Sequence, residues 1–229
     1  MGASTEPDAA LRYCEWTMEF KNVSSQAREA RAQLALPPGG VVSRLTLWVN
    51  GEEREAAFGG RAQVRQAYQS VAVVQRRDPV LVTTCGPDRV LMHCFPVPAD
   101  GGLMKVRLGI TAPLALESAE RGRFVWPRFL ERNFRIGDEF KHSLWIESPL
   151  PLTSSDPAAT SLRSSTNTYS IRLSPSEASL FNSPAHVVVQ RSADAETVVT
   201  AADENGRVIR QTIRTATMNP PGRVVFVFD

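Results

Sequence analysis

Apolar and polar residues alternate with a period of two through most of this chain, and one stretch breaks the rhythm. Over 12–20, Cys14, Trp16, Met18 and Phe20 fall on one side and Glu15, Thr17 and Glu19 on the other, which predicts a half-buried strand. A second strand is predicted over 25–36, with Ala30, Ala32, Leu34 and Leu36 on one side, and Pro37-Pro38-Gly39-Gly40 breaks it. The third, 41–49, turns Leu45, Leu47 and Val49 inward; Asn50-Gly51 is a strong hairpin signal, and 52–58 returns. Residues 80–85 and 89–95 flank a Gly86-Pro87-Asp88 turn, and 104–110 alternates again, with Val106, Leu108 and Ile110 opposite Lys105, Arg107 and Gly109. Further strands are expected at 142–146, 168–173, 186–191, 195–201 and 207–214. The exception is 61–79, where Val64, Ala67, Tyr68, Val71 and Val74 or Gln75 follow helical spacing, and Arg61, Gln63, Arg65, Gln69 and Arg76 largely take the other faces. Gly59-Gly60 precedes that helix and Asp78-Pro79 stops it, because proline cannot extend a helix and restricts the residue before it. The expected fold is mainly β: a β-sandwich carrying one amphipathic helix, followed by a β-rich extension.

The last stretch differs in kind. Val224-Val225-Phe226-Val227-Phe228 is apolar throughout, as in strands buried on both faces of a parallel sheet, and Asp229 stands at its carboxyl end, where open α/β sheets hold ligands. This reads as the opening of a separate α/β domain; a buried sandwich strand is the alternative. The domain organisation expected is a disordered or tag-derived lead at 1–11, a β-sandwich domain at 12–116, a β-rich spacer at 117–220, and the start of a further domain at 221–229.

A formal charge of +2, with acids and bases interspersed, offers no basic stripe for nucleic acid, so none is expected as a partner. No run approaches the about 18–20 apolar residues of a membrane span. Residues 1–7 lack the basic and apolar regions of a secretory leader, and a piece of a longer chain would begin in the same way. Cys14, Cys85 and Cys94 are an odd set without paired spacing. A Cys85–Cys94 contact across neighbouring strands is conceivable, but buried free thiols are the commoner case.

Candidate chemistry is sparse. His93 and Cys94 are adjacent on one expected strand and so point to opposite faces, too few and too divergent for zinc or for a thiol–imidazole pair unless His142 or His186 approaches in space. Glu52, Glu53 and Glu55 beside a hairpin read as solvated rather than acid–base carboxylates. Arg76-Arg77-Asp78 ends the helix where cations suit its dipole, and a partner contact there is the alternative. Gly39-Gly40, Gly59-Gly60 and Gly101-Gly102 read as turn glycines, not a phosphate loop. Trp48, Trp126 and Trp145 read as packing residues before binding platforms. No catalytic, cofactor or metal residue is assigned, and the only enzymatic alternative is a hydrolase using Cys94 or a carboxylate.

An ordered set of landmarks over about 14–115 resembles the VIT (vault protein inter-alpha-trypsin) domain. The set comprises Leu36-Pro37-Pro38, the run VSRLTLWVNG at 42–51, Phe58-Gly59-Gly60 before the helix, and the Ala62 to Tyr68 spacing. Arg77-Asp78-Pro79-Val80-Leu81, Phe95-Pro96-Val97-Pro98 and the closing strand Lys105 to Ile110 with Leu114 complete it. The resemblance implies a von Willebrand factor A domain next. PGRVVFVFD at 221–229 looks like its opening strand, with Asp229 in the place of the first metal-binding aspartate but without the serines that follow it, so no working metal site is implied. Trp126-Pro127-Arg128 to Asn133-Phe134 and His142-Ser143-Leu144-Trp145 resemble the spacer of bacterial, exosortase-associated integral membrane members. That likeness implies a non-catalytic protein-interaction or scaffold module, or a purely structural spacer. It also implies an unidentified protein ligand, membrane attachment only through segments outside this chain, and an extracytoplasmic or membrane-associated setting rather than a cytoplasmic one.

Overall fold

The computed structural model describes residues 1–49, 51–59, 80–165, 167–182, 186–193, 196–202 and 205–214. The helix expected over 61–79 lies outside them, as do Arg76, Arg77, Asp78, the run at 224–228 and Asp229. What is described is mainly β. The first half holds β1 (Gly2–Glu6), β2 (Leu11–Asn22), β3 (Arg28–Ala35), β4 (Val41–Val49), β5 (Glu52–Glu55), β6 (Val80–Gly86), β7 (Arg89–Val97) and β8 (Gly102–Pro113). The second half holds β9 (Ala115–Ser118), β10 (Arg121–Phe124), β11 (Arg128–Arg132), β12 (Leu144–Ser148), β13 (Leu152–Ser154), β14 (Thr160–Arg163) and β15 (Tyr169–Leu173). A short helix α1 (Glu177–Asn182) then leads to β16 (Val187–Gln190), β17 (Glu196–Ala202) and β18 (Val208–Arg214).

One eight-stranded sheet, ordered β14-β15-β12-β1-β2-β8-β4-β5, runs through both halves of the chain. Two four-stranded sheets, β11-β3-β7-β6 and β13-β16-β10-β9, pack against it, and β17-β18 is a separate hairpin. The period-two pattern explains why one face of the long sheet serves two cores. On β2, Cys14, Trp16, Met18 and Phe20 are all buried and share a face. Trp16, Met18 and Phe20 join a first core with Leu34, Met92 and Leu108, while Cys14 joins a second with Phe124, Ile146 and Val187.

The expectation of a disordered lead at 1–11 is corrected here. β1 pairs antiparallel with β2, from Gly2↔Glu15 to Glu6↔Leu11, and parallel with β12 at Gly2↔Trp145. Its small residues disguise the alternation: Ala3 and Thr5 are buried, Gly2 and Ser4 exposed. A strand hydrogen-bonded on both edges needs no large side chain to stay in place. It also splices the two halves into one sheet, a long-range pairing that local pattern does not reveal.

Elsewhere the alternating stretches fold as their patterns imply. β2 and β8 pair along twelve residues, Leu11↔Pro113 to Asn22↔Gly102, and β4 returns against β5 with Val49 opposite Glu52. The entry to β8 is tight: a Cβ on Gly102 would lie 2.5 Å from Pro98 Cβ and 2.7 Å from the Pro98 carbonyl oxygen. Backbone cannot step aside as a flexible side chain does. Gly102→Ala is therefore expected to destabilise the fold by about 1–3 kcal/mol. Gly137→Ala, where nothing lies within 4 Å, should stay within about 0.5 kcal/mol. Urea unfolding of the two variants tests this, and equal midpoints would refute it.

Candidate functional site

The thiols are sealed or isolated. Cys94 points from β7 into the first core, fully buried, and burial with the Glu29 carboxylate pushes its pKa up to about 12. Cys14 is pushed up to about 12 by burial as well. All three cysteines are free; Cys85 is exposed, and Val80, not Cys85, lies opposite Cys94. Iodoacetamide at pH 8 should thus modify Cys85 alone in the folded protein and all three thiols in guanidinium, read by intact mass. In the folded chain Cys14 and Cys94 keep their protons to about pH 12, whereas unfolded thiols ionise near pH ~8.5. The folded state therefore binds more protons in that window, and stability falls as pH rises from about 9 to 12.

Each histidine has its own partner, and none of these partners is a thiol. His93 Nδ1 lies 2.8 Å from Glu29 Oε1, on the face opposite Cys94. His186 Nδ1 faces Arg123 Nη1 at 3.3 Å. His142 Nε2 lies 2.6 Å from Glu177 Oε2, and Arg132 Nη1 donates to the other oxygen of Glu177 at 3.0 Å. The carboxylates weighed for acid–base work are likewise paired with cations on the outer face of the long sheet. Glu55 accepts from Arg44 and from Thr46 Oγ1, and the Arg44 bond holds its carboxyl below the usual range. Glu53 accepts from Arg107 at 2.9 Å, and Glu52 from Arg54 at 2.6 Å. Trp48 lies beneath Lys105 and Arg107, Trp145 beneath Arg172, and Trp126 in the second core against Phe124 at 4.6 Å. Gly39 and Gly101 take positive φ in turns. Among the described residues no three His, Cys, Asp or Glu side chains gather as a metal site, and no helix is long and apolar enough to cross a membrane.

One concave feature among the described residues is a groove of about 770 Å³ along the open side of the first core, within the about 300–1,000 Å³ range of ligand sites. One border is β2. On its β1 side β2 is paired only from Leu11 to Glu15, and among the described residues no strand adjoins that edge from Trp16 to Asn22. Trp16, Phe20, Phe129, Phe134 and Ile136 supply apolar walls. Residues 133–142 form the far side, pinned at both ends. Asn133 extends the edge of β3: its Oδ1 accepts from Arg31 N–H at 2.7 Å, its Nδ2 donates to Glu29 O at 2.9 Å, and its own N–H donates to Arg31 O at 3.1 Å. His142 closes the other end through Glu177 and through its N–H to Pro175 O at 2.9 Å. Phe134 packs edge-on against Phe20 at 5.0 Å and Phe129 at 5.4 Å. Sequence reasoning did not assemble this site. The only local signal was the aromatic density of 124–134, because a groove made by the absence of a neighbouring strand has no motif.

Strands β2–β8 with their core thus define a β-sandwich domain that shares its larger sheet with a second sandwich. Residues 10–110 match the family model of the Vault protein inter-alpha-trypsin domain, and this chain carries a VIT domain there. No curated protein matches the chain in sequence. Among solved structures it is similar to native yeast LTA4 hydrolase, at 9% identity and a TM-score of 0.44, covering 88% of this chain and 28% of that one. The same yeast hydrolase in complex with Bestatin gives 9% and 0.42 over 88% and 28%. The major pilin subunit of Bacillus cereus gives 7% and 0.31 over 90% and 61%. The chain thus spans little more than a quarter of the hydrolase's length.

Proposed function

We propose that this chain is a non-catalytic module that holds another polypeptide, within a longer membrane-anchored protein in which a von Willebrand factor A domain follows. The observation that carries the reading is the groove beside β2, an apolar cleft bordered by a strand edge that no described strand covers. Bond-making needs a nucleophile or base of matched pKa within reach of a substrate. Here the Cys94 thiol is buried and held protonated, and the imidazoles and outer-face carboxylates are engaged in pairs that fasten loops and strands. A cleft with backbone groups on its rim suits extended polypeptide instead. The continuous eight-stranded sheet also favours a spacer role, since it makes a stiff link between the two sandwiches. The test is to pan a phage-displayed library of random peptides against the chain. Binders whose capture is lost with Phe140→Asp, an exposed substitution at the groove mouth, support the module. Failure to enrich any peptide over an unrelated β-sandwich leaves the spacer reading in its place.

A further inference from the structure

We infer that the partner segment binds as an added strand, antiparallel to β2 opposite Trp16–Asn22, with an acidic-apolar-basic-apolar order of side chains. This rests on the polypeptide-binding reading and specifies its geometry. β1 already lies antiparallel along the same edge, with Gly2 opposite Glu15 and Glu6 opposite Leu11. The line of β1 continues past Met1 into the groove, so a guest strand there inherits the register and closes the ladder that β1 leaves unfinished. Strands sit about 4.8 Å apart, and alternate residues of an unpaired edge offer N–H and C=O groups that only another extended backbone matches in sequence.

Two other sheet borders carry the guards that edges usually need. β5 is Glu-Glu-Arg-Glu, and β11 bears Arg128, Glu131 and Arg132 after Pro127. The free part of β2 has no proline and no inward charge: Trp16, Met18 and Phe20 face the core, while Glu19 and Lys21 face outward. A guest's inward side chains therefore enter the apolar space beside Phe129, Phe134 and Ile136. Its outward side chains meet Glu19 and Lys21, which favour opposite charges directly across the ladder. Read from the guest's N-terminus, an acidic residue faces Lys21, an apolar one Phe20, a basic one Glu19 and an apolar one Met18.

The register permits a test within one chain. Fusing Thr-Glu-Val-Lys-Val-Thr ahead of Met1 places those six residues opposite Asn22 to Thr17. The Met1 nitrogen, which donates to Ser143 O at 2.6 Å, still has an N–H to donate as an amide. The amides of Thr17–Lys21 that point away from β8 should exchange at least about tenfold more slowly than in the unextended protein. Thr-Pro-Val-Pro-Val-Thr, whose prolines remove the two ladder donors opposite Lys21 and Glu19, should give no slowing, and Thr-Lys-Val-Glu-Val-Thr should give less than the first extension. Unchanged exchange with the first extension, while library peptides still bind and lose binding with Phe140→Asp, overturns strand addition and leaves the binding module standing. Unchanged exchange with no peptide bound overturns both. Equal slowing by the charge-reversed extension overturns the side-chain order.

Discussion

Leu34→Ala and Phe124→Ala, one in each core, are expected to lower the midpoint of the same single unfolding transition, by about 2–5 and about 3–5 kcal/mol respectively. Leu34 is fully buried on β3, paired with Val90 on one side and Phe129 on the other. Phe124 is buried in the second core, tilted against Trp126 at 4.6 Å and beneath the Arg12 guanidinium at 4.5 Å. Arg12 depends on that ring. It is itself buried, donates to Pro113 O and Val125 O, and is drawn down to about 10 by desolvation. The two truncations report on one transition because the cores share a backbone. β2 gives Trp16, Met18 and Phe20 to one and Cys14 to the other, and β1 joins β2 to β12 by ladders on both edges. Unfolding either sandwich strips the shared sheet of half its cover. Urea curves followed by tryptophan fluorescence and by far-ultraviolet circular dichroism should therefore coincide for both variants. Two separated transitions, with Phe124→Ala moving only one, would show that the cores fold apart.

The second large effect is expected at Arg191, where alanine should remove about 2–4 kcal/mol, given about 1.5–3 kcal/mol for hydrogen bonds to a charged group. Arg191 is buried just beyond β16, and its guanidinium forks to three backbone carbonyls: Pro7 O at 2.7 Å, Ala119 O at 2.8 Å and Asp8 O at 3.4 Å. Those carbonyls lie in the β1–β2 turn and the β9–β10 turn, so one side chain ties the start of the chain to its second sandwich. Arg191→Lys should recover less than half of the loss, because an ammonium cannot present the planar fork. Arg191→Met restores the stem without donors and should behave like alanine. Full stability in the methionine variant would show that packing, not the fork, holds these turns.

How much of this was legible beforehand follows from the range of each interaction. Alternation at 12–20, 41–49 and 104–110 marked strands that the structure contains, because the side-chain period of a half-buried strand is written into adjacent residues. The opposite faces of His93 and Cys94 followed from the same rule. β1 escaped because its buried residues, Ala3 and Thr5, are small and its stabilisation comes from two ladders rather than from apolar bulk. The latch of His142 and Arg132 on Glu177 escaped because its members lie 35 and 45 positions from the carboxylate they share.

The sequence by itself determined the β class, most strand positions, the turns at Gly39 and Gly101, and the VIT landmarks that the family match over 10–110 supports. Tertiary structure alone decided that one sheet serves two cores, and that among the described residues no strand adjoins β2 from Trp16 to Asn22 on its β1 side, beside an aromatic groove. The division has a physical cause. Periodicity is a property of neighbours in the chain, whereas a shared sheet and an unpaired edge depend on which distant backbone arrives alongside, and on where it stops.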